Sequence, residues 1–497
     1  MKSIYKILLL FFAVLLLGIN ACEKEIPRKE NENDDPVEEP DRISTFIYSG
    51  LKDVYLWYDK VNKLGDNYFA TTDALYTYLN GFDIYYDELF YDLLYQYGTI
   101  DKWSWIVDDW EELENSFAGI SKSMGYDFRL VRLSGSDDVF GYIRYVLPGS
   151  PADNAGLKRG DFFLEVNGQQ LTINNYVDLL FDSEIYTLTK ATITDNTIYL
   201  GDETDLMEAI VIQENPVHYY DVLDVGGVPT GYLVYNAFTS DFDIELNNAF
   251  EYFKNQGVSR LILDLRYNGG GSIQTAIYFA SMIYSTDDTK LFSRSQWNDK
   301  YTAYFEDTYG EDILNYYFTD EIEATETTAA TPISNLGITD LYVITTGSTA
   351  SASELVINGL EPYFDVKLVG ANTVGKYVGS ITVKDYDNQG NVVTSHKWAM
   401  QPIVLKLTNA DGVSDYVNGL APDEFAEEDF VNLLPFGDEN ETLLKATIDY
   451  ILGTKSASTL PHLREGIDYD VIADSKDFKP LSKEMYLEGD FFNYLHK

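Results

Sequence analysis

At 497 residues, with 45% hydrophobic and 15% aromatic side chains, the chain is too long for one core and too apolar to stay disordered. Its 81 Asp and Glu against 35 Lys and Arg leave a formal charge of −46. That balance excludes a nucleic-acid binder, because phosphate requires the opposite sign, and disfavours unassisted docking to anionic lipid. The 40 tyrosines are accounted for by amphipathic packing rather than by a binding role.

MKSIYK is a short basic segment, and ILLLFFAVLLLG (7–18) is an apolar run too short for a comfortable membrane span. INAC follows, ending at Cys22, the single cysteine, so the chain closes no disulfide within itself. A cysteine directly after such a run and a small residue resembles a bacterial lipobox. The resemblance implies a signal peptide over 1–21 and a mature chain beginning at a lipid-carrying Cys22. The protein would then be exported and lipid-anchored to the bacterial outer membrane, facing the periplasm or the cell surface. Residues 22–41 are charged, contain proline and lack apolar periodicity, which predicts a disordered tether. An acidic stretch after a lipidated cysteine is similar to the surface-export signals of Bacteroidetes-type lipoproteins.

Residues 42–115 predict a helical N-terminal domain. FIYSGLKDVYLWYDKV places Phe46, Leu51, Val54, Tyr55 and Tyr58 near helical spacing, and the aromatic-rich segments that follow contain little glycine. From 116 to 214 the texture changes to short β runs. In GYIRYVLPGSPADNAGLKRGDFFLEVNGQQLT (141–172), GYIRYV and FFLEV read as strands, PGSPADNAGL as a turn with a short helix, and Asn167-Gly168 as a hairpin. The segment resembles a PDZ domain, which binds an extended peptide as an added strand. The resemblance implies recognition of substrate C-termini, with Met124, Gly125, Tyr126 and Phe128 as the peptide-binding loop. Asp127 within that loop is ill suited to a carboxylate.

Residues 215–455 alternate strand and helix. GYLVYNAF is a strand. DIELNNAFEYFKNQG is an amphipathic helix with Leu246, Ala249, Phe250 and Phe253 on one face and Gly257 at its end. SRLILDLR runs as a strand into YNGGGS and a helix, and LYVIT runs into GSTASASELVINGL and then VKLVG. Two strand–turn–helix units predict a largely parallel, layered α/β domain. Residues 456–497 read as a C-terminal appendage without an assigned role.

The small-residue turn at 347–354 is suited to expose a nucleophilic serine beside backbone N–H donors, and a serine requires a base. None of the four histidines, His218, His396, His462 and His496, sits at a strand end or in a glycine turn. The remaining base is Lys376, in the glycine-flanked loop of VKLVGANTVGKYVGS. Bringing a lysine from about 10.4 towards neutrality takes roughly 3 pKa units, or about 4–5 kcal/mol, which burial can supply. No metal or nucleotide motif is present. DYDNQGN (385–391) has His396 where a calcium loop needs an acid and reads as a turn.

SASE (351–354), LILDLRYNGGG (261–271), the GK loop, and LKLTNADGVSDYVNGLAPDE (405–424), with a PDZ segment upstream, together resemble the C-terminal processing, or tail-specific, serine peptidases. The resemblance covers about 116–425. It implies a crotonase/ClpP-like layered α/β protease domain and a serine endopeptidase acting through a Ser351/Lys376 dyad and an acyl-enzyme, without cofactors. It implies an oxyanion hole from the N–H groups of Ala352 and Gly270, with Glu354 in support. The family's glutamine four residues after the lysine is Ser380 here, and its following glycine is Tyr377. That departure leaves open a catalytically weak or inactive peptide-binding lipoprotein scaffold.

Overall fold

The computed structural model describes residues 37–133, 135–194, 197–325, 328–454, 469–478 and 482–488. They form two compact units that divide after Lys102. Cys22, most of the tether, His462 and His496 lie outside the described residues.

The smaller unit holds the helices Arg42–Val54, Thr72–Asn80 and Tyr86–Asp92. Asp41 starts the first by accepting the N–H groups of Ile43 and Ser44 at 2.8 and 3.0 Å, two donors that the helix itself cannot satisfy. Phe46, Leu51, Val54 and Tyr55 are buried as their spacing predicts, whereas Tyr58 is only partly covered. The Tyr55 hydroxyl donates to Asp101 at 2.6 Å. The helical domain read from the sequence extends too far, to 115. The strand Trp105–Val107 pairs antiparallel with Ala399–Gln401, so this stretch belongs to the larger unit.

In the larger unit, an antiparallel sheet runs in the order Tyr469–Asp474, Tyr126–Leu133, Val139–Val146, Phe162–Val166, Leu188–Thr194, Thr197–Glu203. Asn167 (φ 52°) and Gly168 (φ 68°) are both left-handed, as the two-residue hairpin turn requires. Gly141 is fixed by packing: a Cβ there would lie 2.0 Å from Cζ of Phe163. Phe163 itself sits in a core with Phe128, Ile143 and Leu188. Ile120–Ser123 pairs with Ile210–Gln213 and closes the two ends of this module.

The α/β layer carries a six-stranded sheet ordered Val217–Val225, Val228–Tyr235, Arg260–Asp264, Leu341–Thr345, Lys367–Gly370, Glu424–Phe425, parallel after its first hairpin. Helix Asp243–Asn255 buries Leu246, Ala249, Phe250 and Phe253, and left-handed Gly257 follows its end. A second six-stranded sheet contains Gly271–Ser272, Met485–Tyr486, Val378–Ser380, Ile403–Asn409, Leu291–Trp297 and Asn315–Tyr317, in that order. The C-terminal appendage therefore contributes one strand to each of two sheets.

Candidate active site

Arg260–Asp264, Leu341–Thr345 and Lys367–Gly370 are parallel neighbours, so the loops after them meet at one sheet edge. Those loops carry the glycine turn, Ser351 and Lys376. Ser351 is fully buried at φ 65°, ψ −115°, a strained conformation for a residue with a Cβ. Its Oγ has no hydrogen-bond partner among the described residues. Ala352 opens the helix Ala352–Leu360, so its N–H lacks a partner within the helix.

Asn268, within the LILDLRYNGGG motif but given no role from the sequence, joins the two turns. Its carbonyl accepts the Ala350 N–H (3.1 Å) and the Ser353 hydroxyl (3.2 Å). Its Oδ1 accepts the Gly270 N–H at 2.8 Å, and its Nδ2 donates to the Tyr235 carbonyl at 2.9 Å. The Gly270 N–H, expected in the oxyanion hole, is thus engaged. The N–H of Gly271 donates to the Glu484 carbonyl at 2.6 Å, within the parallel pairing of Gly271–Ser272 with Met485–Tyr486. Gly271 must be glycine: at φ 141° a Cβ would meet the Phe238 carbonyl oxygen at 2.1 Å.

Glu354 clamps the serine and lysine loops together. One carboxylate oxygen accepts the N–H groups of Ser351 and Lys376, both at 2.8 Å. The other accepts Gly375 N–H at 2.7 Å and the Thr373 hydroxyl at 2.5 Å. Burial raises its carboxyl above the ordinary range, against the pull of those donors.

The Lys376 side chain is fully buried, 5.2 Å from the centre of the Trp103 ring. Its Nζ donates to the Lys483 carbonyl at 2.7 Å and to Glu484 Oε2 at 2.9 Å. Burial pushes the Glu484 carboxyl up, opposed by that ammonium. Ser380 Oγ donates to the same Glu484 oxygen and to the Met485 carbonyl, both at 3.3 Å. Neither Glu484 nor Trp103 was found by sequence reasoning, because each arrives from a distant part of the chain. The described histidines lie elsewhere. His218 packs against Tyr145 and Phe436 and is held down to about 4 by burial, and His396 bonds Asp385 at 3.0 Å.

The expected peptide-binding side chains need correction. Met124, Tyr126 and Phe128 point into the core of the β module, and left-handed Gly125 leaves no room for a Cβ against Ser150 (2.2 Å). The outer backbone edge of Tyr126–Leu133 is paired with Tyr469–Asp474. Asp127 is buried against Arg144. Among the described residues no group of three or more His, Cys, Asp or Glu is placed to hold a metal.

A layered α/β peptidase architecture carrying a PDZ-type module, with a buried serine and a buried lysine on loops joined through Glu354, is the class that this fold and site define. Residues 229–423 match Peptidase family S41, 142–185 match a PDZ domain, and 42–105 match the Peptidase S41 N-terminal domain. The chain belongs to peptidase family S41. It is 25% identical over 311 residues to a carboxyl-terminal-processing protease of Picosynechococcus sp., covering 61% of this chain and 65% of that one. It is 27% identical over 340 residues to carboxyl-terminal-processing peptidase 1, chloroplastic, of Arabidopsis thaliana, covering 67% and 61%. The matches thus span less than two thirds of these relatives' own lengths. Among solved structures, a putative S41 protease from Bacteroides fragilis superimposes with a TM-score of 0.63 at 27% identity, covering 85% of this chain and 100% of that one.

Proposed function

We propose that the protein is a serine endopeptidase of the C-terminal processing type. The observation that carries this is the unpartnered, buried hydroxyl of Ser351 on a left-handed turn, clamped through Glu354 to the loop of an equally buried lysine. In the reaction, neutral Lys376 takes the Ser351 proton as Oγ attacks the peptide carbonyl. The Ala352 N–H and one N–H of the Gly270–Gly271 turn, once released from its present acceptor, receive the developing oxyanion. Lys376 returns the proton to the leaving amine, and water then hydrolyses the acyl-enzyme. The β module supports recognition of extended polypeptide through the edge of Tyr126–Leu133. Export and lipid anchoring through Cys22 rest on the sequence pattern alone; acyl-chain labelling lost in Cys22→Ser is their test.

The full chain is incubated with an unfolded protein ending in an apolar C-terminus, and peptides are read by mass spectrometry. Cleavage should vanish in Ser351→Ala, which keeps the wild-type melting profile, and in Lys376→Ala, which melts lower because buried Glu484 loses its cation. Cleavage that persists in either variant would remove that residue from the mechanism.

A further inference from the structure

The C-terminal segment, silent in the sequence, is built into the edge of the β module and into the sheet beside the catalytic turn. Tyr469–Asp474 adds antiparallel to Tyr126–Leu133, from Tyr469 opposite Leu133 to Asp474 opposite Arg129. That is where an extended peptide lies when a PDZ domain binds it by strand addition. Asp474 pairs with Arg144 at 3.0 Å and accepts Arg129 Nη2 at 2.8 Å, and its carboxyl is held well below the usual range by these guanidinium groups against the cost of burial. Ser475 accepts the Phe128 N–H at 3.1 Å, and the Phe478 ring stacks on Phe181 with centroids 3.8 Å apart.

The segment continues onto the catalytic turn. Lys476 Nζ donates to the Tyr267 carbonyl at 2.8 Å, and Met485–Tyr486 lies as a parallel strand between Gly271–Ser272 and Val378–Ser380. Its backbone lies flush against the glycines: a Cβ on Gly269 would be 1.8 Å from the Ser482 carbonyl oxygen. A Cβ on Gly270 would lie 2.4 Å from the Glu484 carbonyl oxygen and 2.6 Å from Ser351 Cβ, so these two atoms are near neighbours.

We propose that residues 469–478 and 482–488 are tethered occupants of the polypeptide-binding surface, closing the β-module edge and the catalytic slot until a substrate segment displaces them. This rests on the peptidase assignment above. Glu484 blocks the chemistry twice. Its carbonyl fills the Gly271 N–H, and its carboxylate sits on Lys376, favouring the ammonium that cannot act as a base. A permanent structural strand would not need to end on the two groups that catalysis uses.

The test compares the full chain with Glu484→Lys, which sets two cations face to face, and with Phe478→Ser, which loosens the other anchor at a 42% exposed residue. If the surface is free in about a tenth of wild-type molecules, its release raises kcat/KM on an unfolded protein about tenfold. A synthetic peptide of residues 469–488 should then inhibit Glu484→Lys by raising KM alone, and hydrogen exchange at Gly271 should quicken. Unchanged or lower kcat/KM in both variants at an unchanged melting temperature would overturn the proposal. So would a wild-type chain that trims itself after Glu484, since a tail cut in place is a substrate and not a plug. If no protein cleaves anything, the peptidase assignment fails, while Gly271 exchange and binding of the 469–488 peptide still decide whether the segment leaves its slot.

Discussion

Glu354 shows how far one side chain can set the geometry of the site. Its two oxygens each accept two donors, from Ser351, Lys376, Gly375 and Thr373, so the serine turn and the lysine loop keep register only while both ends of the carboxylate are acceptors. Glu354→Gln preserves the shape but aims an NH2 at two of those donors. Leaving buried donors unsatisfied costs about 1–3 kcal/mol each. The expected outcome is a lowered melting temperature together with a kcat loss of about 10- to 100-fold at little changed KM, as misplacing reacting groups by a fraction of an ångström produces. A variant that melted lower but kept wild-type kcat would make Glu354 purely structural. Gly271 tells a related story at the backbone. Its positive φ and the close approach of Phe238 leave no room for a side chain, and its N–H is tied to Glu484 as the neighbouring Gly270 N–H is tied to Asn268.

At the scale of elements, the strands that could be read from sequence are those whose signal is local. LYVIT and SRLILDLR are apolar runs ending in glycine or serine turns, and FFLEV is closed by Asn167-Gly168; LYVIT, GYIRYV and FFLEV lie within strands of the structure, and SRLILDLR contains the strand Arg260–Asp264. The strands Tyr469–Asp474 and Met485–Tyr486 could not be read, because their partners lie hundreds of residues away and two- to six-residue strands have no periodicity to detect. For the same reason Ser351, Lys376 and Glu354 were legible from short motifs, whereas Glu484 and Trp103 enter the site only through tertiary contact. The β module also yields a prediction at this scale. Gly141 faces Phe163 with no space for a methyl group, and Gly141→Ala should destabilise the module by about 1–3 kcal/mol through overpacking. Urea unfolding followed by tryptophan-independent circular dichroism should show an earlier first transition, and an unshifted midpoint would mean that Phe163 has room to move.

For the whole molecule, two electrostatic effects oppose each other as pH falls. The net charge of −46 makes the folded chain repel itself, so protonating exposed carboxylates below neutrality relieves strain. Against this stands a buried ionic cluster that ties the β module to the α/β layer. Arg159, from the turn before Phe162–Val166, donates to Glu428 at 2.9 Å and to the Tyr267 hydroxyl at 2.9 Å. Arg266 donates to Glu428 (3.0 Å), Glu441 (2.7 Å) and Asp264 (2.7 Å), and Glu441 also accepts the Leu444 N–H at 3.0 Å to cap Thr442–Leu452. Although burial alone would raise the Glu428 carboxyl, the guanidinium groups of Arg159 and Arg266 bring it down to about 2, and they lower Glu441 as well. A carboxyl depressed in the fold stabilises it above its unfolded value, about 4.3, and that contribution is lost as pH falls through the folded value. Stability at low ionic strength should therefore rise from pH 7 to about 5 and then fall steeply between about 4.3 and 2. Salt distinguishes the two limbs. At about 1 M the screening length shrinks to about 3 Å, so the upper limb flattens, while the buried cluster keeps the lower one. Denaturant titrations across this pH range, in low and high salt, check both limbs. Glu428→Gln should lower stability at pH 7 and shallow the fall below pH 4.3; an unchanged acid limb in that variant would place the acid sensitivity outside the Arg159–Arg266 cluster.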